Sequence, residues 1–303
     1  MSRRAFSRRG EEDSDRGGRS IADGLAIDSG GTRNRELRFG LTILHCSRMR
    51  LVTLNVNGIR SAAGKGLVGW LAGQDAEIVC LQEIRAAEDQ LPPELLTLEG
   101  YRAIWHCAER KGYSGVGLLS RRPVEQVVCG IDNPDFQGGG RVLRADFSGF
   151  SILSLYIPSG IMGGERQVQK MRFLDAFLQY LTALKSSGRE LIACGDFNIA
   201  HRPIDLFDPI RNENTSGFFP EERAWMDRLL AAGFVDVFRK LVGPEAGQYT
   251  WWSNFRGARK RNLGWRLDYQ IATPSIAEQA RSAAIYREVF FSDHAPLTID
   301  YSI

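Results

Sequence analysis

Carboxylate, amide, phenol and imidazole side chains recur where short apolar runs of this 303-residue chain end. The runs LVTLNVNG, EIVCLQE, SILSLYIPSG, ELIACGDFN, RLDYQIA and FSDHAP carry Asn55, Asn57, Glu83, Tyr156, Asp196, Asn198, Asp268, Asp293 and His294. Asparagine and aspartate favour turns, so any one of them could be only a turn former. Glu83 resists that interpretation, because glutamate forms turns poorly and a charge at the end of an apolar strand is costly.

Taken together, these side chains are hard oxygen ligands combined with groups that transfer protons and form hydrogen bonds. Such sets suit Mg²⁺ or Mn²⁺, which keep bound water and bridge to substrate phosphate. The sequence has no Cys/His cluster for zinc, no GxxxxGK[ST] loop for triphosphate hydrolysis and no GxSxG turn for a serine nucleophile. Attack of water on a phosphodiester, with a metal ion neutralising the developing charge, is the chemistry that remains.

The elements that must position these side chains are predicted from the apolar pattern. Candidate strands are 51–56, 78–81, 116–119, 142–147, 152–157, 191–194, 267–272 and 297–301. Helices are predicted over 165–185 and 220–232, and the first has an apolar face of Val168, Met171, Leu174, Leu178 and Leu181. Many strands with few helices predict an α/β fold of two packed sheets flanked by helices. Strand ends in such a layered fold converge on one rim, so these distant polar residues can share one cleft.

The motifs NVNGIR, CLQEIR, GDFNIAH, GWRLDYQ and SDHAP resemble, in this order, the motif series of the exonuclease III family of abasic (AP) endonucleases. The resemblance covers essentially all of residues 50–303. It implies a four-layer α/β sandwich of two packed mixed β-sheets flanked by helices, in one catalytic domain over 49–303. It also implies Mg²⁺-dependent incision of double-stranded DNA 5′ to abasic sites, with 3′-5′ exonuclease and 3′-phosphodiesterase or phosphatase activity at damaged 3′ ends. Mn²⁺ is expected to substitute for Mg²⁺.

The resemblance also implies a metal site. Glu83 matches the principal metal ligand, and Asn55 matches the residue beside it that orients metal-bound water. Asn57 occupies a neighbouring position, and Asp293 holds either the metal or His294.

The residues implied to act on the phosphate are distributed over the other motifs. Asp196 matches the acid that activates the attacking water, and Asn198 holds that water or the scissile phosphate. Tyr156 hydrogen-bonds the phosphate, and His294, held by Asp268, polarises it. A carboxylate stabilises the cationic form of such a histidine, which suits a phosphate oxyanion. Either Asp196 or His294 could be the base, and Asp196 is favoured.

Residues 246–267 are the strongest indication that the substrate is DNA. They contain no acidic residue and interleave Arg256, Arg259, Lys260, Arg261 and Arg266 with Trp251, Trp252, Phe255 and Trp265. Basic groups bind phosphates while aromatic rings wedge into a base stack, although a solvated charge run over core tryptophans has the same composition. The resemblance implies a loop that enters the minor groove. In that loop Trp251 and Trp265 line a pocket for the abasic sugar, Phe255 is a wedge, and Arg256 and Lys260 contact phosphates.

Two other functions remain open. One is a superfamily phosphatase or phosphodiesterase with a small-molecule or lipid substrate, which the aromatic and basic loop disfavours. The other is a non-catalytic nucleic-acid-binding regulator on the same scaffold, which the complete set of polar residues disfavours. Ser159 stands where the family often has an amide side chain, a difference that bears on the balance between endonuclease and exonuclease activities.

Composition limits the remaining possibilities. Ten of the 39 basic and seven of the 36 acidic residues lie in 1–48, so residues 49–303 are neutral and need a local basic patch to bind a polyanion. Residues 1–48 are predicted to be a disordered N-terminal extension, because their first half lacks apolar periodicity. The five scattered cysteines indicate buried thiols in a reducing compartment, hence the cytoplasm. No apolar run reaches the roughly 18 residues of a membrane span, and a monomer is expected.

Overall fold

The structure, a computed structural model, describes residues 48–160, 164–255 and 257–303. The strands are β1 (Arg48–Asn55), β2 (Ile78–Gln82), β3 (Arg102–His106), β4 (Val116–Ser120), β5 (Gln126–Cys129), β6 (Val142–Phe147), β7 (Phe150–Tyr156), β8 (Glu190–Asp196), β9 (Val235–Asp236), β10 (Asp268–Ala272), β11 (Ala280–Ile285) and β12 (Leu297–Ser302). The helices are α1 (Ile59–Gly64), α2 (Leu67–Ala72), α3 (Pro93–Leu96), α4 (Glu165–Ser186), α5 (Pro220–Ala231), α6 (Val237–Val242) and α7 (Pro274–Glu278). The predicted disordered extension lies outside the described residues, except for Arg48, which begins β1.

The strands form two six-stranded sheets, in the orders β11-β12-β1-β2-β4-β3 and β5-β6-β7-β8-β10-β9. Each sheet contains one parallel pair, β1 with β2 and β7 with β8, among antiparallel neighbours. The sheets are therefore mixed, as the resemblance implied.

Three apolar cores define the layers. One lies between the two sheets and contains Leu51 and Cys80 of the first sheet with Ile152 and Ile192 of the second. A second core packs α1 and α2 on the outside of the first sheet, and a third packs α4 and α5 on the outside of the second. The four-layer α/β sandwich is confirmed.

The predicted strands are all present, with ends that shift by up to three residues. Four strands were not predicted: β3, β5, β9 and β11. All four are edge strands, and β3, β5 and β11 have largely half-buried or exposed side chains. A strand with such mixed burial lacks the apolar run by which the central strands were recognised.

The predicted apolar face of α4 is wrong in part. Val168 is 60% exposed, and the buried face instead carries Lys170, Phe173, Leu174, Phe177 and Leu181. Aliphatic spacing alone favoured Val168, whereas the two phenylalanine rings have the larger apolar area to bury. The buried face of α4 is therefore centred on the two phenylalanines, and Lys170 lies on that face in the protein interior.

Two further expectations concern the thiols and the membrane. Of the cysteines in the described ranges, Cys80 and Cys194 are buried, Cys107 is half-buried and Cys129 is exposed, and all four are free thiols. The expectation of buried thiols therefore holds for only two of them. Within residues 48–160, 164–255 and 257–303, no helix combines the length and the apolar character that crossing a bilayer requires.

Candidate active site

The strand directions explain why the polar strand ends meet. The parallel pair β1 and β2 places Asn55 opposite Gln82, so Glu83 follows at the same edge. The parallel pair β7 and β8 places Tyr156 opposite Asp196. Because β10 runs antiparallel to β8, its first residue, Asp268, pairs with Asp196 as well. The strand β12 runs antiparallel to β1, which brings the loop that precedes it to the same rim.

Asn55 is the centre of the cluster. Its amide nitrogen donates to Glu83 Oε2 at 2.9 Å and to Asp196 Oδ2 at 2.8 Å. Its carbonyl oxygen accepts the backbone N–H of Asn57 at 2.9 Å. The two carboxylates, which come from different sheets, are thus joined by one buried amide. Asn55 is thus placed to orient both carboxylates, and its oxygen keeps a second lone pair for a water or a metal ion.

A tight turn after β8 holds Asp196. Asn198 donates its backbone N–H to Asp196 Oδ1 at 2.8 Å and its side-chain amide to Asp196 Oδ2 at 3.2 Å and to the Ile157 carbonyl at 2.9 Å. A side chain at Gly195 would collide with the Leu155 carbonyl oxygen of β7. Glycine therefore allows the two parallel strands to approach closely where the carboxylate must be presented.

His294 and Asp268 form a buried pair. The imidazole Nδ1 lies 2.8 Å from Asp268 Oδ2, and Nε2 lies 3.8 Å from Asp196 Oδ2. With Nδ1 bound to Asp268, Nε2 is the nitrogen that faces Asp196 and the cleft. Asp293, next along the chain, takes no part in this pair: it accepts hydrogen bonds from Asn57 at 2.8 Å and from the Trp251 indole at 3.0 Å.

Burial and mutual charge shift the pKa values of this cluster. Burial raises the pKa of Asp196, and the nearby Asp268 charge raises it further against the opposing effect of His294. Burial alone would lower the pKa of His294, but the carboxylates of Asp268 and Asp196 outweigh it and raise the pKa well above its usual value. Burial also raises the pKa of the Tyr156 phenol, and the charges of Glu83 and Asp196 add to the effect. His294 is therefore held as a cation and Tyr156 as a proton donor.

The donor chemistry of the cluster fits a divalent cation. The Asp196 and Asp268 carboxylates each offer a ligand oxygen, and the His294 ring lies in the same group, with one atom from each of the three within 4.8 Å of the others. The buried Oδ1 atom of Asp268 has no hydrogen-bond partner, so an acceptor oxygen remains for a cation or a proton donor. Glu83, joined to Asp196 through Asn55, adds a further carboxylate. This oxygen-rich set is the kind that Mg²⁺ and Mn²⁺ prefer.

Beside the cluster lies an aromatic wall. Trp251 and Trp265 are half-buried and meet edge to face, with ring centroids 6.3 Å apart. Phe218 meets Trp265 edge to face at 6.5 Å on its other side, and Leu267 packs in the same apolar group. Because Trp251 also donates to Asp293, the wall adjoins the polar strand ends directly.

The rest of the 246–267 segment divides into exposed and buried parts. Phe255 is 66% exposed. Lys260 is also exposed and lines a cavity of about 350 Å³ together with Lys65 and Asp293. Arg256, predicted to contact phosphate, lies outside the described residues.

The sequence interpretation of this segment as one basic patch is wrong for two of its arginines. Arg266 is fully buried and forms ion pairs with Asp205 at 2.7 Å and Asp236 at 2.8 Å. Arg259 is half-buried and donates to the backbone carbonyls of Ser292 and His294 at 3.1 and 3.3 Å. Both guanidinium groups are used inside the protein, because acids and carbonyls distant in sequence fold against them.

Comparison with known proteins agrees with this geometry. Residues 52–294 match the Endonuclease/Exonuclease/phosphatase family. The chain belongs to this family. It is 38% identical over 256 residues to an exodeoxyribonuclease of Bacillus subtilis, covering 84% of this chain and 100% of the relative. It is 35% identical over 255 residues to the DNA repair nuclease APEX1 of Danio rerio, covering 84% and 82%.

Solved structures of the endonuclease/exonuclease/phosphatase family share the fold. An AP endonuclease from Archaeoglobus fulgidus superimposes with a TM-score of 0.78 at 30% identity, covering 84% of this chain and 100% of that one. The 3′ phosphatase NExo from Neisseria, bound to a product DNA hairpin, gives a TM-score of 0.78 at 27% identity, covering 84% and 99%. The resemblance to exonuclease III-type AP endonucleases is confirmed.

Sequence reasoning missed one contact of this family site, Arg85. Its guanidinium donates to Glu83 Oε1 at 2.9 Å through Nε, and a second N–H contacts the same oxygen. Asn57, Glu83, Arg85 and Asn198 all have left-handed backbone, with φ between 44° and 56°. Such conformations are uncommon for these residue types and concentrate at functional sites. The basic residue two positions after Glu83 was the available signal.

Proposed function

We propose that this chain is a DNA repair nuclease that incises duplex DNA 5′ to abasic sites and removes nucleotides and blocking groups from 3′ ends. One observation carries the proposal: the Trp251 indole donates to the Asp293 carboxylate at 3.0 Å. This contact places an aromatic wall directly beside a buried set of carboxylates, an amide and an imidazole. The site thus joins groups for phosphodiester hydrolysis to a surface for an unstacked nucleotide.

In the proposed mechanism Asp196 accepts the proton of the attacking water as the water oxygen bonds to phosphorus. The bond from phosphorus to the 3′ oxygen breaks, and that oxygen takes a proton from solvent and leaves as a hydroxyl. The raised pKa of Asp196 makes the ionised carboxylate a stronger base, and Asn198 and Asn55 hold both its oxygens in place. His294, kept cationic by Asp268, donates from Nε2 to a phosphate oxygen, and the Tyr156 phenol donates to a second one. Donors fixed before the reaction stabilise the charge that develops on the phosphate.

Mg²⁺ is the proposed cofactor, with Mn²⁺ as a substitute, and Glu83 and Asp293 are its proposed protein ligands. When bound, the ion supplies charge neutralisation to the phosphate and orients the attacking water. Two hydrogen bonds hold the Glu83 carboxylate, one from Asn55 Nδ2 at 2.9 Å and one from Arg85 Nε at 2.9 Å.

The alternatives receive less support. A non-catalytic regulator has no need for a buried Asp268–His294 pair facing Asp196, and burying such charges is costly. A phosphatase for small molecules has no need for an exposed Phe255 four residues after Trp251. Double-stranded DNA with abasic sites or damaged 3′ ends is therefore the proposed partner. The four free thiols support the proposal of a reducing compartment such as the cytoplasm, and we propose a monomer.

One assay tests the proposal. Three duplexes that carry an abasic analogue, a recessed 3′ end or a 3′-phosphate are incubated with the protein, with and without Mg²⁺. We expect Mg²⁺-dependent incision 5′ to the abasic analogue, together with release of 3′ nucleotides or phosphate. Failure to cut any of the three, by a protein that binds duplex DNA, would favour the regulator.

A further inference from the structure

Lys170 is an ammonium group buried in the outer core of the second sheet. It lies on the buried face of α4, and its side chain and that of Glu222 on α5 are both 0% exposed. Burying an ammonium group costs several kcal/mol unless it is paired and hydrogen-bonded. Apolar replacements for such a pair are often neutral or stabilising, so packing alone does not explain the lysine.

The contacts of the pair reach the backbone beneath the active site. Lys170 Nζ lies 2.5 Å from Glu222 Oε1 and donates to the Asn198 carbonyl at 2.8 Å. Glu222 Oε2 accepts the backbone N–H groups of Gly217 at 2.7 Å and Phe219 at 3.0 Å. One ion pair thus binds the turn that follows Asp196 and also the segment that precedes α5.

Those two segments support different parts of the site. The Asn198 turn has left-handed backbone at φ 51° and supplies two hydrogen bonds to the Asp196 carboxylate. Gly217, at φ +96°, is enclosed between the Asn198 carbonyl and the Trp265 ring, which a Cβ atom would meet at 3.2 and 3.3 Å. The backbone at Gly217 therefore packs closely against the Trp265 ring, so a shift of this segment changes the space that the indole occupies.

We propose that Lys170, paired with Glu222, is a positioning residue. It fixes the position of the Asn198 turn relative to the Trp265 wall. The inference rests on the proposed function, since it assigns the wall to the substrate and the turn to the water. The pair itself is not assigned a contact with the substrate or with the attacking water. It acts through the Asn198 carbonyl on one side and through the Gly217 and Phe219 amides on the other.

The test replaces the pair without leaving a buried charge. The variant K170M/E222Q keeps an acceptor for the Gly217 and Phe219 amides and removes the ammonium group. The matched control is K185M, on the same helix, where Lys185 donates to the Ala232 carbonyl at 2.6 Å and lies over the Phe234 ring. Melting temperature, and kcat and KM for abasic-duplex incision and for a nitrophenyl phosphodiester, are measured for the parent and both variants.

We expect K170M/E222Q to fold and to lose about 10- to 100-fold in kcat on both substrates, the loss that displacements near 1 Å produce. KM for the abasic duplex should rise as well, while KM for the small substrate stays unchanged because it does not reach the wall. K185M should match the parent. Adding Trp265→Ala to K170M/E222Q should raise KM for the duplex by less than it does in the parent, since both changes act on the same wall.

A folded K170M/E222Q with kcat and KM within twofold of K185M would overturn the inference and leave the pair a structural feature only. If the double variant does not fold, K170M alone decides. It keeps Glu222 Oε2 as the acceptor for the Gly217 and Phe219 amides and removes the donor to the Asn198 carbonyl, so kcat equal to that of K185M again contradicts the inference. Failure of the proposed function is separate, because it would show in the parent protein as absent incision of the abasic duplex.

Discussion

The strand-end cluster and the 246–267 segment are both built from polar residues, yet the protein uses them in opposite ways. In the cluster, Asn55, Asp196, Asp268 and His294 are all buried, and hydrogen bonds across two sheets hold them. In the segment, a half-buried tryptophan wall and a fully buried Arg266 lie within about a dozen residues of Phe255, which is 66% exposed.

The two regions differ in how they compensate the free-energy cost of burying charged groups. Buried carboxylates are tolerable only when donors from several strands surround them, so the cluster is rigid before substrate arrives. Residues that contact duplex DNA must instead stay accessible to solvent. In the segment, only the residues that hold them in place, such as Arg266, can be buried. The comparison predicts that changes in the cluster abolish turnover, whereas changes in the segment divide into effects on stability, on pocket recognition and on general affinity.

The largest effect is expected from Asp196→Asn in the cluster. The variant should bind abasic duplex normally but turn over about 10² to 10⁴-fold more slowly, the range for losing a positioned general base. Single-turnover incision and a separate binding titration measure the two quantities, with the exposed Asp175→Asn on α4 as the control. A fall in affinity with an unchanged rate at saturation would make Asp196 a binding residue.

Arg266→Met tests whether the segment contains an interior arginine. It leaves the buried Asp236 without its guanidinium partner and Asp205 with Arg239 only, and a broken buried pair costs about 3–5 kcal/mol of unfolding free energy. Urea unfolding followed by fluorescence measures the loss. Equal stability of Arg266→Met and the parent protein would show that the Arg266 ion pairs do not stabilise the fold.

Trp265→Ala should act on the substrate pocket. Losing an aromatic stacking surface costs about 1–3 kcal/mol, roughly 5- to 150-fold, in abasic incision. Hydrolysis of a nitrophenyl phosphodiester should change much less, and metal dependence should not change. Equal losses on both substrates would mean that Trp265 is a core residue and that the pocket assignment is wrong.

Glu83→Gln tests the metal assignment in the cluster. We expect activity at low Mg²⁺ to fall by about 10- to 100-fold, comparable to the loss when a group supporting a metal ligand is removed, and to recover in part at high Mg²⁺ or Mn²⁺. Rate against metal concentration is the measurement, with Glu94→Gln on α3 as a control. An unchanged metal dependence contradicts the role of Glu83.

The smallest effect is expected from Lys260→Ala, at the exposed end of the segment. Affinity should fall by a similar small factor on abasic and intact duplexes, and the slope of log affinity against log salt should decrease by about 1. Binding at several salt concentrations measures both, and the melting temperature should not change. A loss confined to the abasic duplex would show that Lys260 recognises the lesion itself.

Much of this molecule was predictable from local pattern. The apolar runs placed the central strands, because a strand buried on both faces has to be apolar along its length. The polar residues at the ends of those runs identified the cluster members and their oxygen-rich chemistry before any contact was known. The edge strands β3, β5, β9 and β11 were not predictable in this way, since an edge strand with mixed burial has no comparable signal.

What only the tertiary structure decided is which charges are inside. Arg266 and Lys260 are similar in sequence context, yet Asp205 and Asp236 fold against the first and leave the second exposed. Lys170 likewise occupies the interior because Glu222 and the Asn198 carbonyl meet it there. A residue's type and spacing set the chemistry it can perform, and its burial depends on partners that are distant in sequence, since a charge stays inside only where such partners compensate its lost hydration.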